Sequence, residues 1–228
     1  MKSSLDQFRK RVVRNSLFPP CGLGEAMKRL GFVQADPIRC PARAQDLILR
    51  HRVKNYRAGD LERSYPGLGL EECYLYAYGF LSKDLWRIVH PKTDETLTSA
   101  EQEALELIAR HGPMHPKELE AHVGGERTRN CWGGFSRTAK MAMESLHDRG
   151  ALRVARRDKG FRIYETADGF EQILSKEERF EEIIVATLKA MGAMTRKFLL
   201  SELSHFGNLV ESVGARRQCL QGLIDSGR

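Results

Sequence analysis

Residues 152–166, LRVARRDKGFRIYET, constrain the fold of this chain more than any other stretch. Apolar and polar residues alternate on both sides of Lys159-Gly160. Period-two alternation marks a strand with one covered face, and a two-residue turn containing glycine joins antiparallel strands. A two-stranded ribbon is marginal alone in water, so it has to lie against something else. Helical patterns precede it. Thr98 and Glu101 form a capping-box signature, followed by Leu105 and Ile108 on one helical face and a stop at His111-Gly112-Pro113. PKELEAHV (116–123) reads as a short second helix and CWGGF (131–135) as a loop. Ser136 reads as the cap of a third helix with Ala139, Met143 and Leu146 on one face. Three helices followed by a hairpin is the element order of a winged helix-turn-helix.

A shorter pattern of apolar helix, glycine and extended chain occurs three times, at AMKRLGFVQ (26–34), ESLHDRGALRV (144–154) and QGLIDSGR (221–228). Glycine suits the left-handed residue that ends a helix. The repetition predicts three related modules: residues 1–92 with a linker, 93–170, and 171–228. In the first, LDQFRKRVVRN is expected as a helix turning Leu5, Phe8, Val12 and Val13 toward a core, followed by the helix EAMKRL and the strand FVQA. Residues 42–57 read as another amphipathic helix, and 58–91 as turns, a helix and a strand. In the third, ERFEEIIVATLKAM, FLLSEL and LVESVGARRQCLQGLI are helical stretches, and the chain stops at Gly227-Arg228 where strands would begin. The expected fold class is therefore mainly α with small β wings, in tandem winged helix-turn-helix modules with the third incomplete, as in a truncated chain.

The chain has 228 residues and a formal net charge of +7, which favours a polyanionic partner, nucleic acid before a membrane surface. Five scattered cysteines without a C-x-x-C pair argue against a disulfide framework and a zinc ribbon, and fit the cytoplasm. No apolar run reaches the length of a membrane-spanning helix, and the start lacks a signal-peptide pattern. Cofactor fingerprints are absent from the sequence: it has no P-loop, no dinucleotide motif and no G-x-S-x-G. No metal is expected, because Gly112-Pro113 separates His111 from His115.

Two stretches are rich in Lys and Arg. One runs from Arg127 to Arg162 and places Arg137 and Lys140 on the expected third helix, with Arg153, Arg156, Arg157 and Lys159 on the hairpin. The other runs from Arg39 to Arg63 and includes Arg43, Arg50 and Arg52. Both suit phosphates; both also suit a solvated charged face. Ahead of the second lies Gln34-Ala35-Asp36-Pro37. Residues two apart in extended chain face the same side, so Gln34 and Asp36 are candidates for one cleft. Asp36 as the cap of a helix beginning at Pro37 is the other reading.

The stretches LGFVQADPIRCPARAQDLILRHRVKNYRAGDLER (30–63), WRIVHP (86–91) and WGGFSRTAKMAMESLHDRGALRVARRDKGFRIYE (132–165) resemble the AlkZ/YcaQ family of winged-helix DNA glycosylases, on the YcaQ side. The resemblance implies tandem winged helices around a DNA-binding cleft. It implies hydrolysis of the N-glycosidic bond of N7-alkylguanine, crosslinks included, and a catalytic Gln–apolar–Asp motif that falls on Gln34 and Asp36. Arg39, Arg43, Arg50, Arg52 and His90 would then hold the DNA backbone. Damaged double-stranded DNA is the expected partner, with no obligate protein partner and no membrane. The chemistry needs little more, because a cationic alkylguanine is already a good leaving group. One carboxylate can stabilise the oxocarbenium ion and accept the proton of water, while an amide positions that water. A winged-helix transcription regulator and a DNA-binding module without catalysis are the competing readings.

Overall fold

Side-chain caps and glycines set most helix boundaries in this protein. The computed structural model describes residues 4–36, 38–92, 96–123, 127–129, 135–169 and 171–228. Helix α1 (Leu5–Ser16) starts at a capping box of Ser4 and Gln7. Helix α2 (Leu23–Leu30) ends at Gly31, whose φ of 74° suits glycine, and β1 (Phe32–Gln34) follows. Then come α3 (Ala44–Leu49), α4 (Asp60–Ser64), β2 (Leu70–Tyr74), β3 (Tyr78–Ser82) and α5 (Lys83–Val89). The next elements are α6 (Ser99–His111), α7 (Pro116–Val123), β4 (Arg127–Arg129), β5 (Phe135–Arg137) and α8 (Thr138–Arg149). The strands β6 (Leu152–Asp158) and β7 (Phe161–Thr166) form the hairpin, and α9 (Lys176–Met191), α10 (Arg196–Glu202) and α11 (Val213–Asp225) close the chain. The fold is mainly helical with small antiparallel sheets.

The chain divides into two units. The first holds the residues up to Leu70, Tyr74–Val89 and Gln172–Arg228; the second holds Glu71–Cys73 and His90–Glu171. The last segment, expected as a third module, thus shares a unit with the beginning of the chain.

In the first unit β1 pairs antiparallel with β3, with Phe32 opposite Leu81 and Val33 opposite Phe80. Its core contains Val33, Leu49, Leu61, Tyr65, Phe80, Phe180, Ile183 and Phe206, all fully buried. Burying each of the larger side chains contributes about 2 kcal/mol. Helix α9 packs on α5 and on β1. Its Arg179, 3% exposed, donates to the Ile88 and Val89 carbonyls at 2.7 and 3.0 Å. Those carbonyls at the end of α5 have no partner within their own helix, so Arg179 acts as a remote cap.

In the second unit α6, α7 and α8 pack together, and Ala139, Met143 and Leu146 meet Ile108, Leu119, Leu152 and Val154 in the core. The expected capping box holds, since Glu101 N donates to Thr98 Oγ1 at 3.3 Å and Thr98 N to Glu101 Oε2 at 2.7 Å. The β6–β7 turn has φ of 47° at Lys159 and 89° at Gly160, the twist that matches right-handed strands. Met114 exchanges backbone bonds with Tyr164 at 2.8 and 3.0 Å, tying the α6–α7 connection to the hairpin.

Several local expectations are corrected. Helix α1 forms, but Leu5, Phe8, Val12 and Val13 are 62%, 41%, 37% and 54% exposed, so its apolar face joins no core. The helix expected over 42–57 covers only Ala44–Leu49, because Val53 bridges to Cys21 and Asn55 takes a φ of 56°. Helix α8 begins after Arg137 rather than at a Ser136 cap, because Ser136 belongs to β5. The linker contains a full hairpin, β2–β3, where one strand was expected. Most of the CWGGF loop, and Pro37, lie outside the described residues.

Candidate functional site

Strand β1 carries its pattern from buried to exposed: Phe32 and Val33 enter the core and Gln34 emerges. Gln34 sits opposite Gly79. A Cβ at Gly79 would lie 2.4 Å from the Phe32 ring and 2.5 Å from the Val33 carbonyl oxygen. Glycine is therefore required there for the edge strand to approach β3 with its aromatic ring folded across the pair. The Phe32 ring meets Tyr76 at 4.7 Å between centroids. Beyond this pair Gln34 opens onto a cleft of about 720 Å³. Arg11 and Arg14 from α1, Arg52, and Lys189 at the end of α9 line it together with Tyr76 and Phe8. Burial pushes the Tyr76 phenol up to about 12, so it is a neutral hydroxyl at physiological pH.

Asp36 lies two residues past Gln34, beyond the strand's end, and among the described residues the next helix is α3, capped at Arg43. Ile38 N donates to its Oδ1 at 2.8 Å. It is not a wall of the cleft that Gln34 lines. Its backbone is held from behind. Asp36 N donates to Gln45 Oε1 at 3.1 Å, Gln45 Nε2 donates to Glu62 Oε1 at 3.3 Å, and Arg43 pairs with Glu62. Ala35 N donates to the Tyr78 carbonyl at 2.8 Å. The acids that follow in sequence are all committed. Asp46 Oδ1 accepts from Tyr56 OH and Gly59 N, both at 2.9 Å. Asp60 accepts from Arg57 N at 2.6 Å and pairs with Arg63, and these two contacts hold its carboxyl below the usual range. Asp36 is half-exposed and, among the described residues, has no cationic partner. A carboxylate in that condition is available to a cation or a water outside the fold.

The expected DNA-binding residues separate into two sets. Arg39, Arg50, Arg137, Lys140, Arg156 and Lys159 are exposed. Arg137 pairs with Glu120 at 2.5 Å and Lys140 lies 3.8 Å from Glu144. The others are built into the fold. Arg43 answers Glu62, and Arg52 donates to the Ser16 and Ile48 carbonyls at 2.8 and 2.5 Å. Arg153 grips Glu71 at 2.8 Å and also pairs with Glu165; Arg157 makes a two-pronged contact with Glu72 at 2.8 and 2.6 Å. His90 is 1% exposed, and its ring lies against Gly150, where an added Cβ would come within 2.7 Å.

Sequence reasoning missed Gln45 and Glu62, the buried amide and the partly buried carboxylate that fix the backbone at Asp36. It also missed Arg11, Arg14 and Lys189, which reach the cleft from the two ends of the chain. The basic character of α1 was readable, but its place beside Gln34 was not. Among the described residues, no three His, Cys, Asp or Glu side chains gather as metal ligands, and no helix is long and apolar enough to cross a membrane.

No curated protein and no solved structure matches the chain. The family model for "DNA glycosylase AlkZ-like" matches residues 27–199. That span includes Gln34, Asp36, the Gln45–Glu62–Arg43 support and the whole second unit. With a match over most of its length, this chain belongs to the AlkZ-like family of DNA glycosylases.

Proposed function

We propose that this protein is a cytoplasmic DNA repair glycosylase of the YcaQ-like branch, built on tandem winged helices and hydrolysing the N-glycosidic bond of N7-alkylguanine in duplex DNA, crosslinked guanines included. The observation that carries the proposal is the contrast among the acids of residues 36–62. Asp46, Asp60 and Glu62 are each tied to side-chain partners, and Asp36 alone offers a half-exposed carboxylate with none. Gln34, two residues before it, lines a basic cleft whose volume lies within the range of ligand sites.

In the reaction proposed, the N9–C1′ bond breaks as neutral 7-alkylguanine leaves with the bonding electrons. Positive charge develops on the sugar, and the Asp36 carboxylate stabilises it. Gln34 holds a water through its amide, which both donates and accepts. The water oxygen bonds to C1′, Asp36 takes the proton, and an abasic site results. Arg11, Arg14 and Lys189 neutralise flanking phosphates. Gln45 and Glu62 act through the backbone at residue 36 and are positioning residues.

The test is excision from a duplex carrying a single N7-methylguanine, read as alkali-sensitive strand breaks under single-turnover conditions. Asp36→Asn is expected to slow excision by about 100-fold or more, and Gln34→Ala by about 10-fold. Glu62→Gln should lower the rate without abolishing it. Wild-type rates in both Asp36→Asn and Gln34→Ala would overturn the assignment of the site. A wild-type protein that binds the duplex and never excises would favour the non-catalytic reading.

A further inference from the structure

A second concavity in the first unit carries no role in the chemistry above. It lies between α10 and α11, with a volume of about 730 Å³. Arg196, Lys197, Arg216 and Arg217 line it with Ser201 and Ser204, and among the described residues no carboxylate does. Among the described residues none of the four cations has an acidic partner.

The groove is held in shape by one of its own arginines. Arg216 donates to the Ser204 carbonyl at 3.4 Å and to the Glu211 carbonyl at 3.0 Å, tying the connection between the helices to the start of α11. Arg196 donates to Gln221 Oε1 at 2.8 Å across the groove. Arg196, Lys197 and Arg217 remain exposed. Apolar Leu200, Val213 and Leu220 also line it. Cations and hydroxyls above an apolar floor match alternating phosphates and deoxyribose rings. Helices α10 and α11 present these cations side by side, as a pair of helices can to a duplex backbone. A second copy of this chain is a poor occupant, because the protein carries a net charge of +7.

We infer that the α10–α11 groove is a backbone-binding site for double-stranded DNA, separate from the cleft at Gln34, that sets affinity rather than chemistry. Arg217 and most of α11 lie beyond residues 27–199, the span of the family match. The inference needs DNA binding but not excision, so it stands or fails apart from the proposed reaction.

The experiment compares the full chain with its Lys197→Ala/Arg217→Ala variant on an undamaged 20-base-pair duplex, by fluorescence anisotropy at several salt concentrations. Loss of two phosphate contacts should weaken binding by about 10-fold and flatten the slope of log K against log salt by about 2. The thermal midpoint should stay unchanged, and Lys197→Arg should bind like wild type. A control pair, Arg110→Ala/Lys117→Ala, removes the same charge from the second unit and should have a smaller effect. Wild-type affinity and slope in a folded Lys197→Ala/Arg217→Ala variant would overturn the inference, as would an equal loss in the control pair. Displacement of the duplex by poly-glutamate more readily than by competing duplex would also overturn it, pointing to an acidic protein. DNA binding lost in this variant of a protein that never excises would leave the groove assigned and remove only the glycosylase reaction.

Discussion

The β6–β7 hairpin and the α10–α11 groove are both rich in arginine, and they use it differently. On the hairpin, Arg157 is 14% exposed and grips Glu72, which is fully buried, while Arg162 stands 3.8 Å from the same carboxylate. Arg153 is shared between Glu71 and Glu165. In the groove Arg196 meets an amide and Arg216 two carbonyls, and among the described residues no acid pairs with the cations. Positive residues therefore serve two ends in one chain. Some neutralise buried acids and hold the fold, and others leave their charge to a partner. A count of Lys and Arg cannot separate the two, because the acids Glu71 and Glu72 lie more than 80 positions from the arginines they answer.

The largest effect expected from this difference is on stability. Arg157→Ala removes the two-pronged contact from the buried Glu72 carboxylate, and should cost about 3 kcal/mol in urea unfolding. Replacing both partners with methionine should restore most of that loss, because the desolvation cost of the pair disappears with it. A loss below about 0.5 kcal/mol for Arg157→Ala would mean that the hairpin arginines are as free as those of the groove.

A smaller and pH-dependent effect comes from His147, in the same unit. Burial, with Arg162 adding to it, pushes its imidazole down to about 4, and its Nδ1 lies 3.2 Å from the Leu152 carbonyl oxygen. The unfolded chain takes a proton near 6.5 and the fold refuses it until about 4. Its contribution is thus complete above 6.5 and is lost as pH falls through that window, by at most about 1.4 kcal/mol per pH unit. Urea unfolding at pH 7 and pH 5 measures it, and His147→Phe should flatten the dependence. An unchanged dependence would show that His147 is not the group responsible.

The smallest stability effect is expected at Arg156, the exposed neighbour of Arg157. Arg156→Ala should change stability by less than about 0.5 kcal/mol while reducing the salt slope of DNA binding by about 1. A stability loss like that of Arg157→Ala would erase the distinction between paired and free cations on the hairpin.

Local signals in the sequence determined much of this protein. The Thr98–Glu101 box, the Lys159-Gly160 turn and the face of Ala139, Met143 and Leu146 each depend on residues within a few positions, and the structure keeps them. The family was legible for the same reason, in contiguous stretches around residues 30–63 and 132–165. Tertiary structure alone decided whether a surface that looks apolar is covered and whether a charge is free. Helix α1 has the periodicity of a core helix, yet Leu5, Phe8, Val12 and Val13 stay exposed, since periodicity fixes which side is apolar and not what packs there. Arg39 and Arg43 belong to one basic run, yet one is exposed and the other closes on Glu62. The bond from Asp36 N to Gln45, and Gln45's own bond to Glu62, join residues 9 and 17 positions apart. Burial and pairing arise from residues distant in sequence that the fold brings together, and no local pattern records them.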